Sequence, residues 1–130
     1  LSLVDESGKP YAVPVSQGAW EQGGCIYFHC ALAGKKYELF KNGCDAVMSA
    51  VSHAEIIPNE YTVAYASAVA RGRLEVVTSE EERMHAMEVL CRRFDPAAGE
   101  KFMDCMKNAG ARTCVVRLTV EEITGKEGNG

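Results

Sequence analysis

Ile26-Tyr27-Phe28-His29-Cys30-Ala31-Leu32-Ala33-Gly34-Lys35-Lys36 passes from an apolar run through a histidine to a glycine and two lysines. Aromatic and β-branched side chains suit a pleated, half-buried backbone, so the first part reads as a β-strand. The glycine then punctuates the chain ahead of a basic segment of helical period. A strand that hands over to the start of a basic helix makes a place for an anion. The first N–H groups of a helix lack partners, and its dipole is positive at that end. Lys35 and Lys36 add charge there. Two lysines are also a common solvated helix face, and His53 and His85 have no comparable surroundings; His29 is singled out by its position immediately before the basic turn.

Strand signals dominate the rest of the first half. Residues 1–4 and 11–16 flank Asp5-Glu6-Ser7-Gly8-Lys9, a spacer suited to a hairpin, and Gly23-Gly24 supplies the next reversal. Residues 33–42 have helical period, with Tyr37 and Phe40 near one side and Gly43 placed as a C-terminal cap. Residues 44–53 read as a strand, and Pro58-Asn59 lies in the loop that follows it. Residues 61–77 form the longest strand candidate. There Thr62, Ala64, Ala66, Ala68 and Ala70 alternate with Tyr61, Val63, Tyr65, Ser67 and Val69, and so lie on opposite faces. A row of small residues admits a close second layer: a helix, another sheet, a flat ring or a partner subunit.

Ser79-Glu80-Glu81-Glu82 has the pattern of a capping box with an acidic first turn. Met84, Met87, Leu90, Cys91 and Phe94 recur behind it at helical spacing and are expected to face the core. A second short helix is expected to carry Phe102, Met103 and Met106 and to end at Gly110, followed by a closing strand from Thr113 with Cys114, Val116, Leu118 and Val120 on its buried face. The last residues, 125–130, read as a frayed tail. Six or seven strands with inserted helices and no regular βαβ alternation predict a mainly β protein. The expected architecture is a partly open antiparallel Greek-key barrel, a split β-barrel, formed by residues 1–130 as one domain.

Composition narrows the partners. A net charge of -4 over 130 residues offers no basic stripe for a nucleic acid, and no apolar run is long enough to span a bilayer. The six cysteines form no Cys-x-x-Cys pair and read as reduced thiols of a cytoplasmic protein. Cys25, His29 and Cys30 could be drawn as zinc ligands, but their spacing does not match structural zinc sites, so no metal is expected.

The run through His29 resembles the phosphate-gripping turn of the FMN-binding split-barrel superfamily, the pyridoxamine 5'-phosphate oxidase-related proteins, and within it the nitroimidazole-resistance (Nim-like) branch. There a strand leads through Phe-His, two small residues and Gly to a Lys. Three other segments carry the same resemblance: Pro10-Tyr11-Ala12-Val13-Pro14-Val15 after an acidic glycine turn, Ser67 with Arg71-Gly72-Arg73 in the central strand, and Gly125-Lys126 near the end of the closing strand. The resemblance implies FMN, with FAD or haem as alternatives, bound at the interface of a homodimer. It assigns Phe28, His29, Cys30, Ala31, Gly34, Lys35 and Lys36 to the phosphate, with Lys36 at the family's lysine position. Val13, Pro14, Val15 and Ser16 would face the isoalloxazine through main-chain groups, and Ser67 would join them.

The implied chemistry is that of the cofactor, since no Ser/His/Asp constellation competes with it. The leading expectation is an FMN-dependent oxidoreductase that takes electrons from a small-molecule donor and reduces a small acceptor, nitroaromatic compounds included. Pyridoxamine phosphate oxidation itself is not expected, because the arginine-rich substrate motifs and Arg-x-His signature of that branch are missing from these residues. The alternative is a module that binds or stores flavin or haem without turnover, with His29 or His53 as the conceivable haem ligand.

Overall fold

The computed structural model describes residues 1–16, 18–21, 23–97, 101, 104 and 113–130. Among them run β1 (Ser2–Val4), β2 (Pro10–Ala12), β3 (Ala19–Glu21), β4 (Cys25–Ala31), α1 (Lys35–Phe40), β5 (Cys44–Ile57), β6 (Thr62–Val76), α2 (Glu80–Phe94) and β7 (Thr113–Asn129). The seven strands form one sheet in the order β2-β1-β5-β6-β7-β4-β3, every neighbouring pair antiparallel. This is the split barrel expected from the sequence.

Curling of the sheet brings its distant strands together. Leu3 of β1 and Phe28 of β4 stand four places apart in the sheet, yet share one buried cluster with Phe40, Met48, Leu74, Val116 and Leu118. The edge strands β2 and β3 are consecutive in the chain, and the segment between them crosses the open side. Gly18 lies so close to β4 there that a Cβ would sit 3.0 Å from Ile26 Cγ2. The outer face of β4 and β7 carries a second cluster, in which Tyr27 and Val115 meet Ala86, Met87 and Leu90 of α2. Arg117 of β7 ties that helix down, bonding Glu82 through Nη1 at 2.6 Å from Oε2, while the Tyr27 hydroxyl donates to the same carboxylate at 3.3 Å.

Local chemistry explains most boundaries. Asp5 Oδ1 accepts from Ser7 N, Ser7 Oγ and Lys9 N, and Gly8 at φ 81° completes the β1–β2 turn. Ser79 caps α2 by accepting from Glu82 N. The strand expected over 11–16 stops at Ala12; Val13 still exchanges hydrogen bonds with Leu1, and Pro14, lacking an N–H, ends the ladder. Helix α1 is shorter than the expected 33–42 because Gly34, at φ 106°, breaks the helix before Lys35.

Three expectations are corrected. The strand expected to end at residue 53 continues to Ile57 through a bulge between Val51 and His53. The tail expected to fray is instead paired with β6 as far as Asn129 opposite Ala64. Gly128 makes that pairing possible by leaving room for the Tyr65 ring, whose Cε1 would lie 2.9 Å from a Cβ there. Phe94 does not enter the core; it remains 39% exposed, with its ring 5.7 Å from that of His29. The second helix expected around Phe102, Met103, Met106 and Gly110 lies outside the described residues.

Candidate functional site

Two adjoining cavities open where the barrel is split. The larger, of about 910 Å³, has Val13, Pro14, Val15 and Ser16 on one wall and Ala66, Ser67, Ala68 and Ala70 of β6 on another. The smaller, of about 470 Å³, is lined by His29, Cys30 and Ala31 from the end of β4, by Lys36 of α1 and by Thr113. Pro14, Val15 and Ser16 belong to both, so the strap between β2 and β3 is their common wall.

The two chambers differ in chemistry. The larger is mostly apolar, with Ile26, Met48, Trp20 and the alanines of β6, and Arg93 is its charged side chain. The smaller is polar and contains Lys36 and His29. Among the described residues neither is lined by a carboxylate, although the chain carries 18 Asp and Glu against 14 Lys and Arg. Cavities of several hundred cubic ångströms, apolar with a few placed polar groups, are the usual form of cofactor and small-molecule sites.

Of the residues assigned from sequence, Val13, Pro14, Val15, Ser16, His29, Cys30, Ala31, Lys36 and Ser67 all line these chambers. Phe28, Gly34 and Lys35 do not. The Phe28 ring is wholly buried in the core against Phe40, Gly34 caps α1, and the Lys35 ammonium lies 5.2 Å from the centre of the Tyr11 ring. The Ser67 hydroxyl donates to the Lys126 carbonyl at 3.4 Å. Sequence reasoning missed Arg93, Trp20 and Thr113. The single tryptophan of the chain was the available signal for one of them, whereas nothing in the sequence around Arg93 marks it.

Cys30 stands directly opposite Cys114 in the β4–β7 ladder, so that each thiol acts on the other's titration as a hydrogen-bond partner would. That pairing holds the Cys30 thiol below its ordinary pKa against the opposing effect of burial, with the Lys36 charge acting in the same direction as the pairing. The Cys114 thiol is pushed up by the same pairing and by burial. Cys25 and His29 share the opposite face of β4 from Cys30, so alternation of the strand separates the three conceivable zinc ligands. Among the described residues no three His, Cys, Asp or Glu side chains gather as a metal-binding group.

The profile of the pyridoxamine 5'-phosphate oxidase family matches residues 1–127. The chain belongs to that family. Among solved structures it is similar to a candidate 5-nitroimidazole antibiotic resistance protein of Bacteroides thetaiotaomicron, with a TM-score of 0.71 and 20% identity over 95% of this chain and 72% of that one. An FAD and heme binding protein of Mycobacterium smegmatis gives a TM-score of 0.74 and 20% identity over 99% of this chain and 64% of that one. A flavocytochrome of Azotobacter vinelandii gives 0.71 and 18% over 98% and 60%. This chain therefore spans less than two thirds of the length of the latter two. A comparison with curated protein sequences finds no match. No helix among the described residues is long and apolar enough to cross a membrane.

Proposed function

We propose that this member of the pyridoxamine 5'-phosphate oxidase family binds FMN across the two chambers and works as a homodimeric oxidoreductase on a small acceptor, nitro compounds included. The observation that carries the reading is the junction of an apolar chamber with a cationic one, sharing Pro14, Val15 and Ser16 and, among the described residues, free of lining carboxylates. A ligand with a flat ring at one end and a phosphate at the other matches that division.

Lys36 and His29 would hold the phosphate through charge-assisted hydrogen bonds. Main-chain groups of the strap would meet the ring edge, while Ala66, Ala68 and Ala70 let the ring lie close to β6. Bound flavin would supply hydride and electron transfer. The chain's own task is then to bind, orient and exclude water. Arg93 at the apolar chamber would favour negative charge on whatever occupies it.

The dimer rests on Val51 and Ile123, which line the larger chamber and are 65% and 53% exposed. Ile123 stands opposite Ala70 and shares the chamber face of β6, whereas Val51 stands opposite Ser67 on the other face with Val63 and Ile56; a second copy laid over Ile123 would close the chamber. Free thiols throughout the described cysteines suit a cytoplasmic location.

The test is the visible spectrum of the protein after saturation with FMN and removal of unbound ligand. Bands near roughly 370 and 450 nm, bleaching with reduced nicotinamide and recovery on adding a nitroaromatic compound, are expected. Retained flavin that never cycles would convert the reading to a carrier, a Soret band would replace flavin by haem, and no retained chromophore would remove the proposal.

A further inference from the structure

The wall of the cationic chamber contains a second chemical group that the flavin reading leaves unused. Cys30 and Cys114 face each other in an unbroken register from Cys25↔Thr119 to Ala31↔Thr113. Val120 N donates to Gly24 O at 2.9 Å just beyond that register. Counting by twos along the ladder makes Cys30 and Cys114 a hydrogen-bonded pair, a position where Cα atoms stand about 5.5 Å apart. Disulfides span Cα separations of about 4.4 to 6.8 Å, which this pair meets; its Cβ atoms, about 5 Å apart at such a position against about 3.5 to 4.5 Å in a disulfide, come slightly closer as the bridge closes. Both side chains project to the same face, toward the barrel interior. Their exposures differ: Cys114 is 2% exposed, whereas Cys30 is only partly covered and lines the chamber with His29 and Lys36.

We propose that Cys30 and Cys114 form a redox-modification site, in which Cys30 is oxidised by a hydroperoxide entering the cationic chamber and Cys114 resolves the product as an intramolecular disulfide.

In the first step the Cys30 thiolate sulfur attacks hydrogen peroxide, an S–O bond forms, the O–O bond breaks, and the departing hydroxide takes a proton from solvent to leave as water, an alkyl hydroperoxide releasing the alcohol in its place. In the second step the Cys114 sulfur attacks Cys30, the S–S bond forms as the S–O bond breaks, and the Cys114 proton leaves with the hydroxide as a second water. Two thiols lose two electrons in all, and one hydroperoxide gains them. The roles follow from the site. Cys30 has access, a thiol donor beside it and a cation in the same chamber, which are the conditions that activate cysteine. Cys114 is shielded from the oxidant but in contact with its product. Cys25, Cys44 and Cys91 do not line the chamber, and burial pushes their thiols up; Cys114 is pushed up as well and reacts only because it stands directly opposite the oxidised Cys30. The reaction needs no bound cofactor.

The test treats the reduced full chain with hydrogen peroxide in the presence of dimedone, alkylates it under denaturing conditions and maps all six cysteines by peptide mass spectrometry. Native protein is expected to lose two hydrogens and yield a peptide pair joined through Cys30 and Cys114. Cys114→Ala should replace the bridge by a dimedone adduct on Cys30, and Cys30→Ser should give neither, with oxidation slowed about tenfold or more. Cys114→Val, closer in volume, carries the same expectation if the alanine variant fails to fold. In urea the preference for Cys30 should vanish. Absence of the bridge while Cys30 remains alkylatable, adducts spread evenly over the cysteines, or an unchanged preference in urea would each overturn the proposal.

Discussion

Strand β6 contains two regions that share partners and hydrogen-bonding but not burial. From Ala70 to Val76 it alternates cleanly, with Ala70, Gly72 and Leu74 buried and Arg71 and Arg73 exposed. From Thr62 to Val69 it pairs with β5, and from Ala64 with β7 as well, yet nothing on it is fully buried, and Val63 and Val69 are exposed. The ladder is therefore not what separates barrel from extension. A second layer does: the inner half has β1, β4 and α1 across the core, and the outer half has open space. The larger chamber straddles the junction, lined by Ala66, Ser67, Ala68 and Ala70. Binding sits where the protein stops packing against itself.

The sharpest way to break this contrast is at its glycines. Gly72 faces Thr119 so closely that a Cβ would sit 1.9 Å from the Thr119 carbonyl oxygen, at the bulge between Arg71 and Gly72. Backbone on both sides cannot yield cheaply, so Gly72→Ala should cost on the order of 4 kcal/mol or more and leave a largely unfolded chain. Gly125 in the extension meets only Ser67 O at 3.8 Å. Gly125→Ala should change stability by less than about 1 kcal/mol in either direction. Urea denaturation of the pair measures both, and equal costs would erase the distinction.

Side chains give the next effect. Phe28 is wholly buried in the barrel core, and Phe28→Ala should lower the unfolding free energy by about 3 to 5 kcal/mol. Ile123 on the extension is 53% exposed, so Ile123→Ala should cost the isolated chain under about 1 kcal/mol. Its value is expected elsewhere. Ile123→Glu places a carboxylate on the proposed dimer surface and should weaken self-association about a hundredfold, ~2.8 kcal/mol, with the fold intact. Sedimentation at several concentrations reads this, and a native protein that is already monomeric would discard the interface.

Legibility in the sequence followed the same line between near and far. The Asp5 turn, the Ser79 cap and the alternation of β7 were readable because each is decided within a few residues. Gly125 and Gly128 were read as a frayed tail because glycine locally signals a loop; what makes Gly128 a strand residue is Tyr65, which only folding brings over it. Phe94 fitted the helical stripe and was expected in the core, but it lies beside the His29 ring near the end of β4, where it stays 39% exposed. At the site, the motif running through His29 and Lys36 was local and legible. Arg93 and Trp20 join it from α2 and β3, with no spacing in the chain to announce them.

Lys36→Ala tests the chamber with the smallest expected change. Lys36 lines the smaller cavity, whereas Lys35 is turned to the Tyr11 ring, so adjacent lysines occupy opposite situations. If the cationic chamber holds the phosphate of FMN, removing Lys36 should raise the dissociation constant about tenfold to a hundredfold, ~1.5 to 3 kcal/mol, because a charge-assisted contact is lost. Lys35→Ala should leave it within about threefold, since it takes away only an exposed cation that the cavity does not see. Riboflavin, which has the ring without the phosphate, separates contact from general charge: its affinity should be indifferent to Lys36. A titration in which both lysines matter equally, or in which riboflavin weakens alongside FMN, would move the phosphate out of this chamber and leave the split of the barrel with one site instead of two joined ones.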